Sequence, residues 1–315
     1  MTSLALAVDF GGTKVEAGLV DAQGNVLPES RFRRPSGGGS TSEQLQAAVA
    51  GVVRDALSTL PDDATLLGAG VGSAGPIEVV GGTVSPLNVP AWRGFPLRDF
   101  VTQVVREIVP GTPVVLRMDG LCIALAEHWV GAGRGYDNVM GMIVSTGIGG
   151  GLIVQGMAVQ GPTGNAGHIG HIEVGCFDDP CKCGGIGCVE AIASGPKTVD
   201  WAVGQGWVGS TGEELAAAYA AGDPIAHAAV ARSGRAIGQA IASAVSLADI
   251  ELVAIGGGFS RVTPDLFDMI RSAIAERAAF GFVTKVKVVP SALSDAGPLI
   301  GAAALVHRGE LLTEV

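Results

Sequence analysis

No run of about 18 uninterrupted apolar residues occurs in this 315-residue chain, which argues against a membrane-spanning helix. The first twenty residues carry Asp9, Lys14 and Glu16, so they lack the apolar core of a signal peptide, and the expected location is cytoplasmic. Basic charge is scarce. Twenty Lys and Arg against thirty Asp and Glu give a net charge of -10, which argues against nucleic acid or an anionic membrane as the main partner. Charged residues make up 16% and hydrophobic ones 48%, too apolar a balance for disorder. None of the glycine turns at residues 9–14, 145–151 and 256–258 matches the Walker pattern or G-x-G-x-x-G. Reducing conditions disfavour a disulfide framework, so the clustering of the five cysteines calls for another explanation.

Glycine is what the chain has in excess, 49 residues without a strict period. That distribution excludes a collagen-like repeat and points to tight turns and close backbone approaches. The apolar run Leu4 to Val8 stops at Asp9-Phe10-Gly11-Gly12-Thr13-Lys14, and a second run, Val15 to Val20, follows: strand, glycine hairpin, strand. A helix follows, with Ser42 as its expected cap, apolar residues from Leu45 to Leu60 at helical spacing, and Pro61 as its stop. Leu66 to Val71 and Val114 to Leu116 are further strands, the second leading through Met118 into Asp119 and a helix to about Val130.

About 136 residues after the first hairpin the plan recurs. Val139 to Val144 is a strand, Ser145-Thr146-Gly147-Ile148-Gly149-Gly150-Gly151 a glycine turn, and Leu152 to Val154 a strand. Two half-molecules are expected, residues 1–131 and 132–315, the second carrying an insertion at roughly 160–200. A long helix at about 225–248, a strand from Glu251 to Ile255, the turn Gly256-Gly257-Gly258, a strand from Lys285 to Val289 and a last helix from Pro298 complete an α/β pattern. Ligand is expected in the cleft between the halves. Successive glycine amides make anion-binding concavities, so three such turns suggest a phosphate-bearing ligand.

Residues 9–14 resemble the first phosphate loop of the actin-like ATPase superfamily (ribonuclease H-like fold) in the form used by ROK-family sugar kinases. Residues 145–151 resemble the second phosphate loop, and Ala254 to Phe259 the adenosine motif. The segment Ser294-Asp295-Ala296-Gly297-Pro298-Leu299-Ile300-Gly301-Ala302-Ala303 is similar to the family's last segment. The resemblance implies an ATP- and Mg2+-dependent kinase with Asp9, Gly11, Gly12, Thr13, Lys14, Thr146, Gly147, Gly149, Gly256, Gly257 and Gly258 at the nucleotide. It also implies a homo-oligomer, a dimer or tetramer. ROK proteins include regulators with an N-terminal DNA-binding domain; a phosphate loop at residue 9 sets the expectation that this chain is not of that branch.

His171, Cys181, Cys183 and Cys188 offer one imidazole and three thiolates, a donor set suited to a closed tetrahedral, structural zinc site, and their spacing matches the ROK zinc motif. Cys176 lies outside that pattern, and Cys122 reads as core. By the resemblance, His171 and Glu190 also touch sugar hydroxyls. Glu190 can equally serve amide donors at a helix start.

The resemblance makes Asp119 the general base; as a bare sequence feature it also reads as a helix cap. Asp9 positions magnesium or forms the turn, and Lys14 approaches phosphate or is a surface lysine. Asn88 and Trp92 resemble the family's sugar-facing Asn and its nearby Trp, or are a turn Asn and a half-buried core Trp. Two departures stand out: Met118 where the family has Asn, and His168 where it has Glu. Met cannot donate to a hydroxyl, whereas His168 reads either as a neutral pocket donor or as a satisfied histidine with no ligand role. The expected acceptor is the primary hydroxyl of a hexose or hexosamine, glucose by default. The alternatives are a related polyol such as a cyclitol or unusual hexose, and a non-catalytic sugar sensor.

Overall fold

The computed structural model describes residues 2–277, 279–293 and 295–313, so Ser294 lies outside the described residues. The chain divides into two compact units. Unit 1 is built from residues 1–134, 156–167 and 293–315, and unit 2 from residues 135–155 and 168–292.

In unit 1, β1 (Ser3–Phe10) and β2 (Lys14–Asp21) form the first glycine hairpin, followed by β3 (Phe32–Pro35), α1 (Ser42–Leu57) and β4 (Thr65–Ser73). The short strands β5 (Ile77–Glu78) and β6 (Thr83–Val84), α2 (Leu97–Arg106), β7 (Val114–Met118) and α3 (Asp119–Val130) complete the stretch. The sheet order is β3-β2-β1-β4-β7, with β1 and β2 antiparallel and β1, β4 and β7 parallel.

In unit 2, β8 (Val139–Val144) and β9 (Ile148–Val154) make the second hairpin. Here β10 (Met157–Ala158) returns to unit 1, where Ala158 bridges Leu312. Then come α4 (Val189–Ala193), α5 (Gly195–Gly204), α6 (Gly212–Ala220), α7 (Pro224–Ala248), β11 (Leu252–Gly256), α8 (Asp265–Arg277), α9 (Gly281–Thr284) and β12 (Lys287–Pro290). The order β9-β8-β11-β12 repeats β2-β1-β4-β7, so the recurrence seen in the sequence is a recurrence of topology. Finally α10 (Gly297–His307) belongs to unit 1.

A single boundary near residue 131 therefore does not describe the division: 156–167 and 293–315 belong with the first unit. The cause is packing. Ala302 and Leu299 of α10 bury with Ala5 and Ala7 of β1. A side chain at Gly70 would lie 1.8 Å from the Ala302 carbonyl, and one at Gly301 2.0 Å from the Cys122 carbonyl, so glycine is what lets this helix reach β4 and α3. The other sheet face holds the main core of unit 1, where Trp92 stacks between Phe10 (4.4 Å) and Phe95 (4.0 Å). Each such pair adds about 0.5–1.5 kcal/mol beyond area burial.

Helix ends follow local chemistry. Thr41, not Ser42, caps α1: its side chain accepts from Gln44 N–H while Gln44 caps Thr41 in return. Ser42 instead accepts from Trp92 Nε1 at 3.1 Å. Asp223 Oδ1 accepts from Ile225 and Ala226 N–H ahead of Pro224, starting α7, and Asp249 ends it at φ 49°. Among the described residues, no helix is long and apolar enough to cross a membrane.

Candidate active site

One register row crosses all five strands of unit 1. Arg33 of β3 faces Glu16, Glu16 faces Asp9, Asp9 faces Gly72 of β4, and Gly72 faces Arg117 of β7. Paired residues share a sheet face, so this row sets charges side by side at the carboxyl end of β1. Lys14, two residues before Glu16, falls on the same face. Its Nζ donates to Glu16 Oε2 at 3.0 Å, Arg33 donates at 3.1 Å, and Arg31 also binds this carboxylate while donating to Asp295 at 2.9 Å. Burial pushes Glu16 up, but Arg31, Lys14 and Arg33 outweigh it and hold the carboxyl below its usual range.

Asp9 is 7% exposed, and burial first, then the Asp119 charge, raises its pKa to about 7 against the pull of Lys14. A carboxylate so placed favours a proton or a cation. Asp119 opens α3, its Oδ1 accepting from Gly120 N–H at 2.7 Å. Gly72 of β4 packs under the start of α3, where a Cβ would lie 3.2 Å from Cys122 Sγ and in ordinary contact with the Asp119 Cα. Asp9 and Asp119 are thus neighbours, two carboxylates in distinct settings.

The first hairpin is braced from below. Gly11 N–H donates to the Lys14 carbonyl at 2.9 Å, and the Ser36 hydroxyl donates to the Gly11 carbonyl at 2.8 Å. Thr13 is exposed at the tip, and Asn88 lies beside Gly12, whose absent Cβ would sit 3.4 Å from the Asn88 Cβ. Trp92, fully buried in its aromatic stack, is a core residue. Met118 is 2% exposed and packs in the same core.

In unit 2 the second hairpin exposes Thr146 and is held by backbone: Ser145 N–H donates to the Gly147 carbonyl (2.9 Å), and Gly195 N–H to the Ser145 carbonyl (2.8 Å). Gly149 is a strand residue opposite Ile143. Gly257, at φ +97°, lies where a Cβ would be 2.5 Å from the Val144 carbonyl, and Gly258 lies beside the Ser145 hydroxyl. The adenosine-type turn, which Gly256 begins at the end of β11, and the second hairpin therefore form one surface. Glu190, in the first turn of α4, accepts from Ile148 N–H at 2.8 Å, so it grips the hairpin itself. The reading of Glu190 as a helix-start carboxylate serving an amide donor therefore holds, with the donor supplied by the hairpin.

His171, Cys181, Cys183 and Cys188 converge: all four donor atoms lie within 4.8 Å of one another. Cys181 Sγ is 3.7 Å from His171 Nδ1, and Cys183 Sγ is 3.6 Å from Cys188 Sγ. Burial, then the neighbouring thiols, push Cys188 up to about 12, and burial also raises Cys181. Three thiols this close resist joint ionisation, and a divalent cation is the group that reverses that preference; the donor set fits zinc. Cys176 is exposed and Cys122 is core. His168, its ring 5.7 Å from that of His171, buries an Nε2 that has no hydrogen-bond partner among the described residues. Burial and then His171 lower its pKa, so it is neutral near pH 7. Glu16, Arg31, Arg33 and Arg117 were not singled out in the sequence, although the Lys14/Glu16 alternation was visible there.

Comparison with known proteins agrees with this geometry. The ROK family model matches residues 5–309. The glucokinase of Thermotoga maritima is 30% identical over 319 residues, covering 96% of this chain and 97% of that protein. An N-acetyl-D-glucosamine kinase of Salmonella gallinarum is 32% identical over 281 residues, covering 85% and 87%. The crystal structure of a ROK glucokinase from Streptomyces griseus in complex with glucose and AMPPNP superposes with a TM-score of 0.81 at 32% identity, covering 97% of this chain and 100% of that one.

Proposed function

The chain belongs to the ROK family as one of its sugar kinases, and on that premise we propose that it transfers the γ-phosphoryl group of ATP to the primary hydroxyl of a hexose or hexosamine, with Asp119 as general base. The observation that carries this reading is the pair of unlike carboxylates at the carboxyl ends of β1 and β7, either side of β4, Asp119 opening a helix and Asp9 buried within reach of its charge. Asp119 takes the proton of the attacking hydroxyl. Asp9 would hold a hydrated magnesium ion, and the charge dispersal that this ion supplies when bound would act on the transferring phosphoryl group. Residues 11–14 and 145–147, with Gly256, Gly257 and Gly258, hold the nucleotide. Asn88, His168, His171 and Glu190 orient the sugar, and zinc on His171, Cys181, Cys183 and Cys188 fixes the loop that carries two of them. The same reading takes the enzyme to be a cytoplasmic dimer or tetramer.

The test is sugar-dependent ADP release from ATP and magnesium. Glucose, mannose or an N-acetylhexosamine should support it, and Asp119→Ala should lower kcat by about 10³-fold with fold and zinc retained. Activity surviving in that variant would move the base elsewhere.

The buried, unpartnered Nε2 of His168 favours a second reading, a polyol whose hydroxyl pattern suits a neutral imidazole in place of a carboxylate. A cyclitol or unusual hexose phosphorylated far better than glucose, with His168→Glu shifting preference towards glucose, would establish it. Ordinary efficiency on glucose would remove it.

A further inference from the structure

The cysteine loop is poorly covered by the protein around it. From residue 175 to residue 186 no residue is fully buried, and Ile186 is 60% exposed. A loop of this kind has little hydrophobic burial to fix its shape. Something else must hold it, and one side chain outside the ligand set touches both of its flanks.

That side chain is Arg232, on α7. Its Nη2 donates to Asp179 Oδ2 at 2.5 Å, two residues before Cys181. Its Nη1 donates to the Ile192 carbonyl at 3.2 Å, on α4, which begins directly after Cys188 and carries Glu190. The guanidinium lies over the ring of Phe177 (5.1 Å to centroid) and that of Trp201 on α5 (5.5 Å). The ion pair is largely shielded, with side-chain exposures of 16% and 23%. The backbone carries the grip inward: Asp179 O accepts from Gly187 N–H, the residue before Cys188, at 2.9 Å. Planarity, five donors and aromatic stacking make arginine able to join these segments at once, which lysine cannot.

We infer that Arg232 is a positioning residue for the metal loop, a clamp from α7 that holds Asp179 and α4 so that the four ligands stay converged. It is not a ligand and needs no contact with sugar or nucleotide. This rests on the zinc reading above, and the two can fail separately.

The experiment follows transfer of zinc from purified protein to a chromogenic chelator, well below the melting temperature. Wild type should hold one zinc per chain. Arg232→Gln and Asp179→Asn should each speed release by about tenfold, as expected when a supporting contact of a metal site is removed. The double variant should be no faster than the quicker single, because both break one contact. Arg235→Gln, exposed one turn along α7, should release zinc as wild type does. Asp179→Asn keeps side-chain volume, so it reads the clamp even where Arg232→Gln folds poorly. Release at the wild-type rate in both single variants, or additive effects in the double, overturns the clamp alone. A wild type with well under one zinc per chain overturns the metal reading and the clamp with it. An Arg232 that was only architectural would lower the melting temperature and leave the release rate unmoved.

Discussion

The two glycine hairpins are built on one register and carry opposite chemistry. In unit 1 the next-to-last residue of the first strand is Asp9, facing Glu16 on one side and Gly72 on the other. At the same place in unit 2 stands Ile143, facing Gly149 and Gly256. The scaffold is repeated and the charges are not. Unit 1 concentrates Asp9, Glu16, Lys14, Arg31 and Arg33 beside its turn, whereas unit 2 offers backbone with one carboxylate, Glu190, on its Ile148 amide. A duplicated fold need not divide its labour evenly. On the function proposed above, cation handling and proton transfer belong to one half, and shape-based holding of the donor draws on the backbone of the other.

The comparison can be broken by removing the chemistry of each hairpin in turn. Asp9→Asn takes the carboxylate from unit 1 without changing its size, and kcat at saturating magnesium should fall about a hundredfold or more. Near-normal turnover would show that the charged row is structural. Gly147→Ala tests the other hairpin. The new Cβ would lie 2.6 Å from Glu190 Oε2, so the carboxylate must leave the Ile148 amide. Loss of one charge-assisted hydrogen bond in a site costs about 1.5 kcal/mol, so kcat/KM for nucleotide should drop by about tenfold with the fold intact. An unchanged value would mean that Glu190 and the second hairpin work independently.

How much of this could be read beforehand depended on sequence distance. The hairpins, the Asp119 strand–helix junction and the Cys181–Cys188 spacing are local patterns, and the structure places their residues together. Thr41 was also locally legible, since Gln44 three residues on completes a capping box, and Ser42 was the nearer but poorer choice. What could not be read required contacts across long separations. Arg31 meets Asp295, 264 positions away, and Arg232 meets Asp179, 53 away. No periodicity announces such pairs. Trp92 had two readings because a tryptophan near a turn looks alike in a core or a pocket, and only the positions of Phe10 and Phe95 decide between them. The single-boundary division missed that α10 fills the sheet face that Gly18 and Gly70 leave open, a vacancy invisible until β1, β2 and β4 are aligned.

A third test sharpens the contrast through stability rather than turnover. In the protein without added magnesium, the Asp9 carboxyl is raised from its ordinary 3.8 to about 7 by burial and by Asp119. Below pH 4 folded and unfolded chains both hold this proton. Between pH 4 and 7 the unfolded chain releases it and the folded one retains it, so stability falls as pH rises, and the full loss is reached above pH 7. A displacement of that size corresponds to about 4 kcal/mol, an upper figure because neighbouring groups relax. No such term arises at Ile143. The melting temperature of wild type should therefore drop by several degrees more than that of Asp9→Asn between pH 5 and pH 8, with zinc left in place. Added magnesium and nucleotide should narrow the gap at pH 8, since a bound cation replaces the proton. Parallel profiles for the two proteins would mean that Asp9 ionises freely, and that its half of the repeat is no more strained by charge than the other.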